Sequence, residues 1–215
     1  METKDYWIYE NKIIFKPAFN DKLDNYLDII SKYNELIFSN YDDYNITIKT
    51  NNKYCKKYNK NYKYSNFDKQ VIIPQNVTHL SFGREFNQQV IIPHNVTHLS
   101  FGWYFNQQVI IPQNVTHLTF GREFNQQVII PQNVTRLTFG NHFNQQVNLP
   151  NIKYLQIDCN NIDVIENLPN SVEEIKFGEY FGLELQNLPN SIKKISFYYD
   201  SKFNKELNCL PEFIE

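Results

Sequence analysis

The chain has 215 residues, long enough to bury a sizeable core in one domain or in one domain with a small appendage. Lys and Arg number 21 against 23 Asp and Glu, a net charge of -2, which excludes a polycation built to coat nucleic acid. Charged residues at 20% and hydrophobic residues at 41% exclude a disordered polyampholyte, and no apolar run reaches the roughly 18–20 residues that span a bilayer. Met1 to Glu10 carries no basic stretch followed by an apolar one, so no secretory signal is expected. Cys55, Cys159 and Cys209 lie far apart with no CxxC pair, as expected of reduced thiols inside a cell. The abundance of Asn, Lys, Ile, Tyr and Phe follows A/T-rich codons first and chemistry second.

The N-terminal segment, residues 1–65, reads as a mixed end cap, and residues 66–215 as a repeat array. Tyr6 to Tyr9, a Glu10-Asn11 turn and Ile13 to Phe15 predict a β-hairpin. Leu23, Tyr26, Leu27, Ile30, Tyr33 and Ile37 recur at helical spacing and predict an amphipathic helix with Asn20 as N-cap. Ile46-Thr47-Ile48 alternates and is expected to form a divergent first rung. Asn51 to Ser65 then sets Lys53, Lys56, Lys57, Lys60 and Lys63 among tyrosines. This stretch reads as a solvated insertion, although charge and stacking of that kind also suit phosphate or single-stranded nucleic acid.

From Phe67 onward a 19-residue period governs the chain. Phe67, Phe86, Phe105, Phe124 and Phe143 keep it, and so do Pro74, Pro93, Pro112, Pro131, Pro150 and Pro169. The unit reads F-N-Q-Q-V-I-I-P-x-N-V-T-H-L-[ST]-F-G-x-x, nearly identical in the copies starting at Phe86, Phe105 and Phe124. Nineteen residues are too few for a strand plus a full helix, and suit one short strand with an extended return. Leu99 and Phe101 alternate with His98, Ser100 and Gly102, so Leu and Phe face inward and the others outward. Seven stacked parallel strands are expected, at His79–Phe82, His98–Phe101, His117–Phe120, Arg136–Phe139, Tyr154–Ile157, Glu174–Phe177 and Lys194–Phe197. The recurring Phe86 to Phe143 should form a buried ladder, and Asn87, Asn106, Asn125 and Asn144 should bond the backbone of neighbouring coils. Pro93 favours an extended predecessor, and Gly102 is expected to adopt a special backbone angle on leaving the strand. The architecture expected is therefore mainly β: a solenoid of about seven short parallel strands with extended β or polyproline returns, plus a small α+β N-terminal cap.

V-x-x-L-x-F-G-x-x-F-N resembles the leucine-rich-repeat core with Phe often replacing Leu, and Leu168–Phe177 resembles its short, Pro-containing bacterial form. Phe-Asn-Gln-Gln-Val-Ile-Ile-Pro with Leu-Ser/Thr-Phe-Gly resembles more closely the FNIP repeat of social amoebae and giant DNA viruses, over roughly Phe67 to Pro211. The period here is shorter than in many members, which implies a tighter coil. The resemblance implies a non-catalytic, intracellular and cytoplasmic protein-interaction module whose partner belongs to its own cell or to an infected host. Some members carry an F-box ahead of the repeats and serve as ubiquitin-ligase receptors. Residues 1–65 lack an L-P-x-E start and show one helix, so a divergent F-box-like segment binding a ligase adaptor stands as an alternative to a plain cap. A third reading is a structural, self-assembling homo-oligomer joined through the coil ends, because Phe203 to Glu215 is only a partial repeat.

No phosphate loop, HExxH, GxSxG or CxxC pair is present, so no catalytic residue or cofactor is expected. The Asn-x-Thr sequons at Asn45, Asn76, Asn95, Asn114 and Asn133 are read as repeat structure rather than glycan acceptors. His79, His98 and His117, followed by Arg136, form one outward column. Parallel rungs aim these side chains the same way instead of converging on a point, which argues against a metal and leaves either a solvated column or a contribution to a binding face. Arg84-Glu85, Trp103-Tyr104 and Arg122-Glu123 occupy equivalent positions just past their strands. Two large aromatics between two arginines are either a contact hot spot or a simple stack on neighbouring Arg stems. The residues expected to touch a partner are Arg84, His98, Trp103, Tyr104, His117, Arg122 and Arg136.

Overall fold

The structure, a computed structural model, describes residues 3–39, 65–207 and 210. The readings placed on Ile46–Ile48, on the sequon at Asn45 and on the lysines of residues 51–64 lie outside the described residues. The described elements are β1 (Tyr6–Tyr9), β2 (Lys12–Phe15), a 3-10 turn (Leu23–Tyr26), α1 (Leu27–Ile30), β3 (Glu35–Phe38), β4 (His79–Ser81), β5 (His98–Ser100), β6 (His117–Thr119), β7 (Arg136–Phe139), β8 (Tyr154–Ile157), α2 (Ile162–Glu166), β9 (Glu174–Phe177) and β10 (Lys194–Phe197). All ten strands form one sheet in sequence order. β1 and β2 are an antiparallel hairpin, and every later pairing is parallel. The fold is thus a parallel β-solenoid, with the seven expected strands at β4 to β10.

Each coil closes because its apolar positions converge. Val96, Leu99, Phe101 and Phe105 of one coil are all buried, and the same four positions are buried in the coils before and after. Two phenylalanine ladders run side by side. Phe101 and Phe105 meet at 4.0 Å within a coil, Phe82, Phe101 and Phe120 stack at 5.6–5.7 Å between coils, and Phe86, Phe105 and Phe124 at 6.1 Å. On the outward strand face His79, His98 and His117 are only 4.1 Å apart. Spacing that widens from the outer strand face into the core makes that face concave.

Polar ladders satisfy the turns. Asn87 Oδ1 accepts from the Asn106 backbone N–H at 2.9 Å and from Gln107 Nε2 at 3.2 Å, and Asn106 and Asn125 repeat this one coil further on. Asp68 fills the same role at the first coil, so the position requires an acceptor oxygen. The sequon asparagines are also engaged: Asn95, Asn114 and Asn133 donate through Nδ2 to carbonyls of the preceding coil at 2.8 Å. Thr97 and Thr116 donate their hydroxyls to the previous threonine carbonyl at 3.2 Å.

Four expectations are corrected. The predicted long helix is only the 3-10 turn and α1, and Ile37 lies in β3. β3 pairs in register with both β2 and β4, and those ladder hydrogen bonds outweigh a weak local helical pattern. Lys22, not Asn20, is the N-cap and makes no side-chain cap bond; Asn20 Oδ1 instead accepts from the Asp68 N–H at 3.5 Å. The glycines leaving the strands do not have positive φ. Their role is space: a Cβ on Gly102 would stand 1.9 Å from the Gly83 carbonyl oxygen. Finally, the return after β8 is not extended but contains α2, capped by Asn161, whose side chain accepts from the Asp163 N–H. Asn161 sits four residues past Ile157, where other units carry Phe, and it donates Nδ2 to the Gln145 carbonyl at 2.9 Å.

The N-terminal residues extend the coil rather than build a separate bundle. Phe15 and Phe38 stack at 5.4 Å, and Phe38 stacks on Phe82 at 5.8 Å. Phe38 also meets Phe67 at 4.2 Å, as Phe101 meets Phe105 within its coil. Residues 3–39 therefore hold a hairpin, one short helical segment and a strand stacked on the first repeat coil. Among the described residues, no helix is long and apolar enough to cross a membrane.

Candidate interaction surface

The concave face carries three columns set by the strand alternation. The first runs Lys12, Glu35, His79, His98, His117, Arg136, Tyr154, Glu174 and Lys194, residue opposite residue across paired strands. The second holds Ser81, Ser100, Thr119 and Thr138, small residues that keep the middle of the face low. The third stands in the turns just past the strands and contains Arg84, Trp103 and Arg122. At about 3.3 Å per residue the outer columns are at most about 17 Å apart.

The third column is a cation–aromatic stack. The guanidinium carbons of Arg84 and Arg122 lie 4.7 and 4.8 Å from the Trp103 ring on adjacent coils, and Arg84 also reaches Tyr104 at 5.4 Å. The turns are tied by backbone bonds from Tyr104 to the Arg84 carbonyl at 3.0 Å and from Glu123 to the Trp103 carbonyl at 2.9 Å. Glu85 and Glu123 stand 3.7 and 3.9 Å from the neighbouring guanidiniums, long ion pairs that contribute little in water. Trp103 remains 37% and Tyr104 38% exposed, so the stack orders the aromatics without hiding them. The stacking of Trp103 on the neighbouring arginines is therefore present in the structure.

The first column is a histidine stack. Thr97 Oγ1 lies 2.9 Å from His98 Nδ1 while donating its own proton to Thr78. The imidazole Nδ1–H is then the donor to Oγ1, and Nε2 is left as an acceptor. Burial, and then the neighbouring His79 and His117, push the His98 pKa down to about 4. Burial, Arg136 and His79 lower that of His117. Folded His98 therefore resists a proton that the unfolded chain accepts near 6.5. Its contribution to stability is complete above pH 6.5 and is lost as pH falls from there towards 4. Urea midpoints at neutral pH and at pH near 4.5 should fall less for His98→Gln than for wild type, and equal falls would refute the coupling.

The seven expected residues separate into two groups. Arg84, Trp103, Tyr104 and Arg122 touch one another, while His98 and His117 belong to the histidine stack. Arg136 continues that stack in register and covers Tyr154 at 5.2 Å. Residues that the sequence reading passed over extend both groups. Tyr180 lies 5.4 Å from the Arg122 guanidinium and 4.6 Å from Lys202 Nζ, which pairs with Glu179 at 2.8 Å. Tyr198 packs under Lys176 at 4.2 Å and accepts from Gln156 at 3.1 Å. Tyr180 stands three residues past Phe177 as Tyr104 does past Phe101, so the repeat alignment contained its signal. Among the described residues, no group of three His, Cys, Asp or Glu side chains is placed to hold a metal ion.

The FNIP repeat family model matches residues 67–102, 89–122, 105–130, 124–160 and 160–200, more than half of the chain. No curated protein matches it. Among solved structures, the giant-virus protein CroV588, described as a novel circular leucine-rich-repeat protein, is similar over 98% of this chain, with 25% identity and a TM-score of 0.51. The chain spans 44% of the length of that protein. The in-register strands, the phenylalanine ladders and the family match agree, and the chain belongs to the FNIP-repeat family of leucine-rich-repeat-like solenoids.

Proposed function

We propose that the protein is a non-catalytic interaction module that binds a protein partner on the concave strand face. The observation that carries this reading is the Arg84–Trp103–Arg122 stack, three interface-favoured side chains held in register on adjacent coils, with Trp103 partly open to solvent. Such a surface is preorganised: the partner need not order the long arginine side chains, because the indole already does. Tyr104 widens the contact on one side, and His98, His117 and Arg136 supply polar contacts across the concavity. The low centre of Ser81, Ser100 and Thr119 admits a projecting segment between the two taller columns.

Affinity purification of the tagged chain from a host-like cell tests this reading. Wild type is compared with the Trp103→Ala/Arg84→Ala double variant, each checked by circular dichroism for an intact fold. A partner retained by wild type and weakened by at least about 30-fold in the variant, the effect of losing a hot spot, is the expected result. The same proteins captured equally by both would overturn the assignment of this face.

A further inference from the structure

The convex side carries a feature that the concave face does not explain. In the Val-Ile-Ile-Pro return, Val90 is half-buried and Ile92 is 7% exposed, while Ile91 between them is 89% exposed. Ile72, Ile110 and Ile129 hold the same position in their coils and are 72%, 89% and 86% exposed. They form one row of branched apolar side chains, one per coil. The row ends where the next unit places Asn148 at this position. From Asn87 to Thr97, and in the equivalent stretches of the next two coils, no Asp, Glu, Lys or Arg occurs, so glutamines, asparagines and one histidine flank the row.

We propose that this isoleucine ridge is a self-association surface on which a second copy of the chain docks. Three properties select a copy over another partner. The ridge has a fixed repeat, and a two-fold related copy presents the same repeat, so the isoleucines of one chain seat between those of the other in an isologous contact. The flanks of Ile91, Ile110 and Ile129 carry no charge, and the equivalent stretch beside Ile72 carries one Asp68 and one Lys69, which cancel in net charge, so two copies approach without net like-charge repulsion. Four isoleucines so exposed present an apolar strip on the order of 600 Å², the top of the range for the largest patch on an ordinary monomer. With the glutamine rows beside it, the strip approaches the roughly 800 Å² per partner of a standard interface. Because the contact is isologous, each copy uses up its one ridge, and the assembly closes as a dimer instead of growing into a fibre. It lies on the opposite side of the coil from Trp103, so the dimer leaves both concave faces open and displays them twice.

Sedimentation equilibrium of the full chain, from micromolar to submillimolar concentration, tests the proposal. Wild type is expected to reach twice the chain mass, and Ile91→Lys/Ile110→Lys to stay monomeric or to associate at least about tenfold more weakly, with an unchanged circular dichroism spectrum. These side chains pack against little within the chain, so the fold tolerates the change. A wild type that is monomeric throughout would overturn the proposal. A dimer that persists undiminished in the double variant would also overturn it and would place assembly at the coil ends, β1 and β10.

Discussion

Gly121→Ala is expected to destabilise the protein by about 3 kcal/mol, at the upper end of what an overpacked methyl group does. A Cβ at this position would lie 1.9 Å from the Gly102 carbonyl oxygen and 3.0 Å from the Trp103 Cα. Both are backbone atoms and cannot rotate away. The coils cannot spread to make room, because Phe101 N–H donates to the Thr119 carbonyl and Glu123 N–H to the Trp103 carbonyl, both at 2.9 Å, on either side of the contact. Where space allows, Gly→Ala is mildly favourable through the unfolded chain. Gly182→Ala provides that control: the nearest atom to its Cβ is Asn160 Oδ1 at 3.9 Å, and its stability should change by less than about 0.5 kcal/mol. Urea titrations of the two variants decide the matter. Equal midpoints would show that the coils separate more easily than the structure implies. The same crowding brings the turns of Arg84, Trp103 and Arg122 close enough to stack, so Gly121→Ala should weaken partner binding as well.

Phe105→Ala is expected to cost about 3–5 kcal/mol, the range for emptying a buried aromatic site. Phe105 is fully buried, meets Phe101 at 4.0 Å within its coil and stacks on Phe86 and Phe124 at 6.1 Å on either side. The void would therefore lie between three rings that are themselves pinned by strands. In a solenoid, stability is a sum of coil terms and nearest-neighbour contacts, and this change removes contacts in both directions. Phe105→Leu should lose less, since it keeps most of the volume. Ile110→Ala, five residues further along the same coil, removes an exposed side chain and should leave the monomer within about 0.5 kcal/mol of wild type. Thermal and urea unfolding of the three variants at low protein concentration should rank them in that order. A Phe105→Ala variant as stable as Ile110→Ala would mean that the phenylalanine ladder is not what joins the coils.

Most of the coil was legible in the chain because its contacts are periodic. A 19-residue repeat of Phe, Leu, Pro and Asn places each side chain beside its own copy, so the inward ladder of Phe86, Phe105 and Phe124 and the turn ladder of Asn87, Asn106 and Asn125 follow from the spacing alone. The proximity of Arg84, Trp103 and Arg122 follows for the same reason. The N-terminal segment lacks that redundancy. Leu23 to Ile37 fits a helical pattern, and a local reading has no means of knowing that β2 pairs with Glu35–Phe38 and β4 with Glu35–Ile37.

Alternation and period alone dictate the direction of Leu99 and Phe101, the stacking of like on like, and the family. Which isoleucine of Val90-Ile91-Ile92 faces water follows only from the folded coil, because an apolar run in an extended return has no period to orient it and the closure of the coil does. The packing of coil on coil also explains the glycines that leave β4, β5, β6 and β7. The constraint on Gly121 is not its own torsion but the carbonyl of a residue one coil away, and no inspection of the chain around Gly121 reveals an atom that arrives from the neighbouring turn.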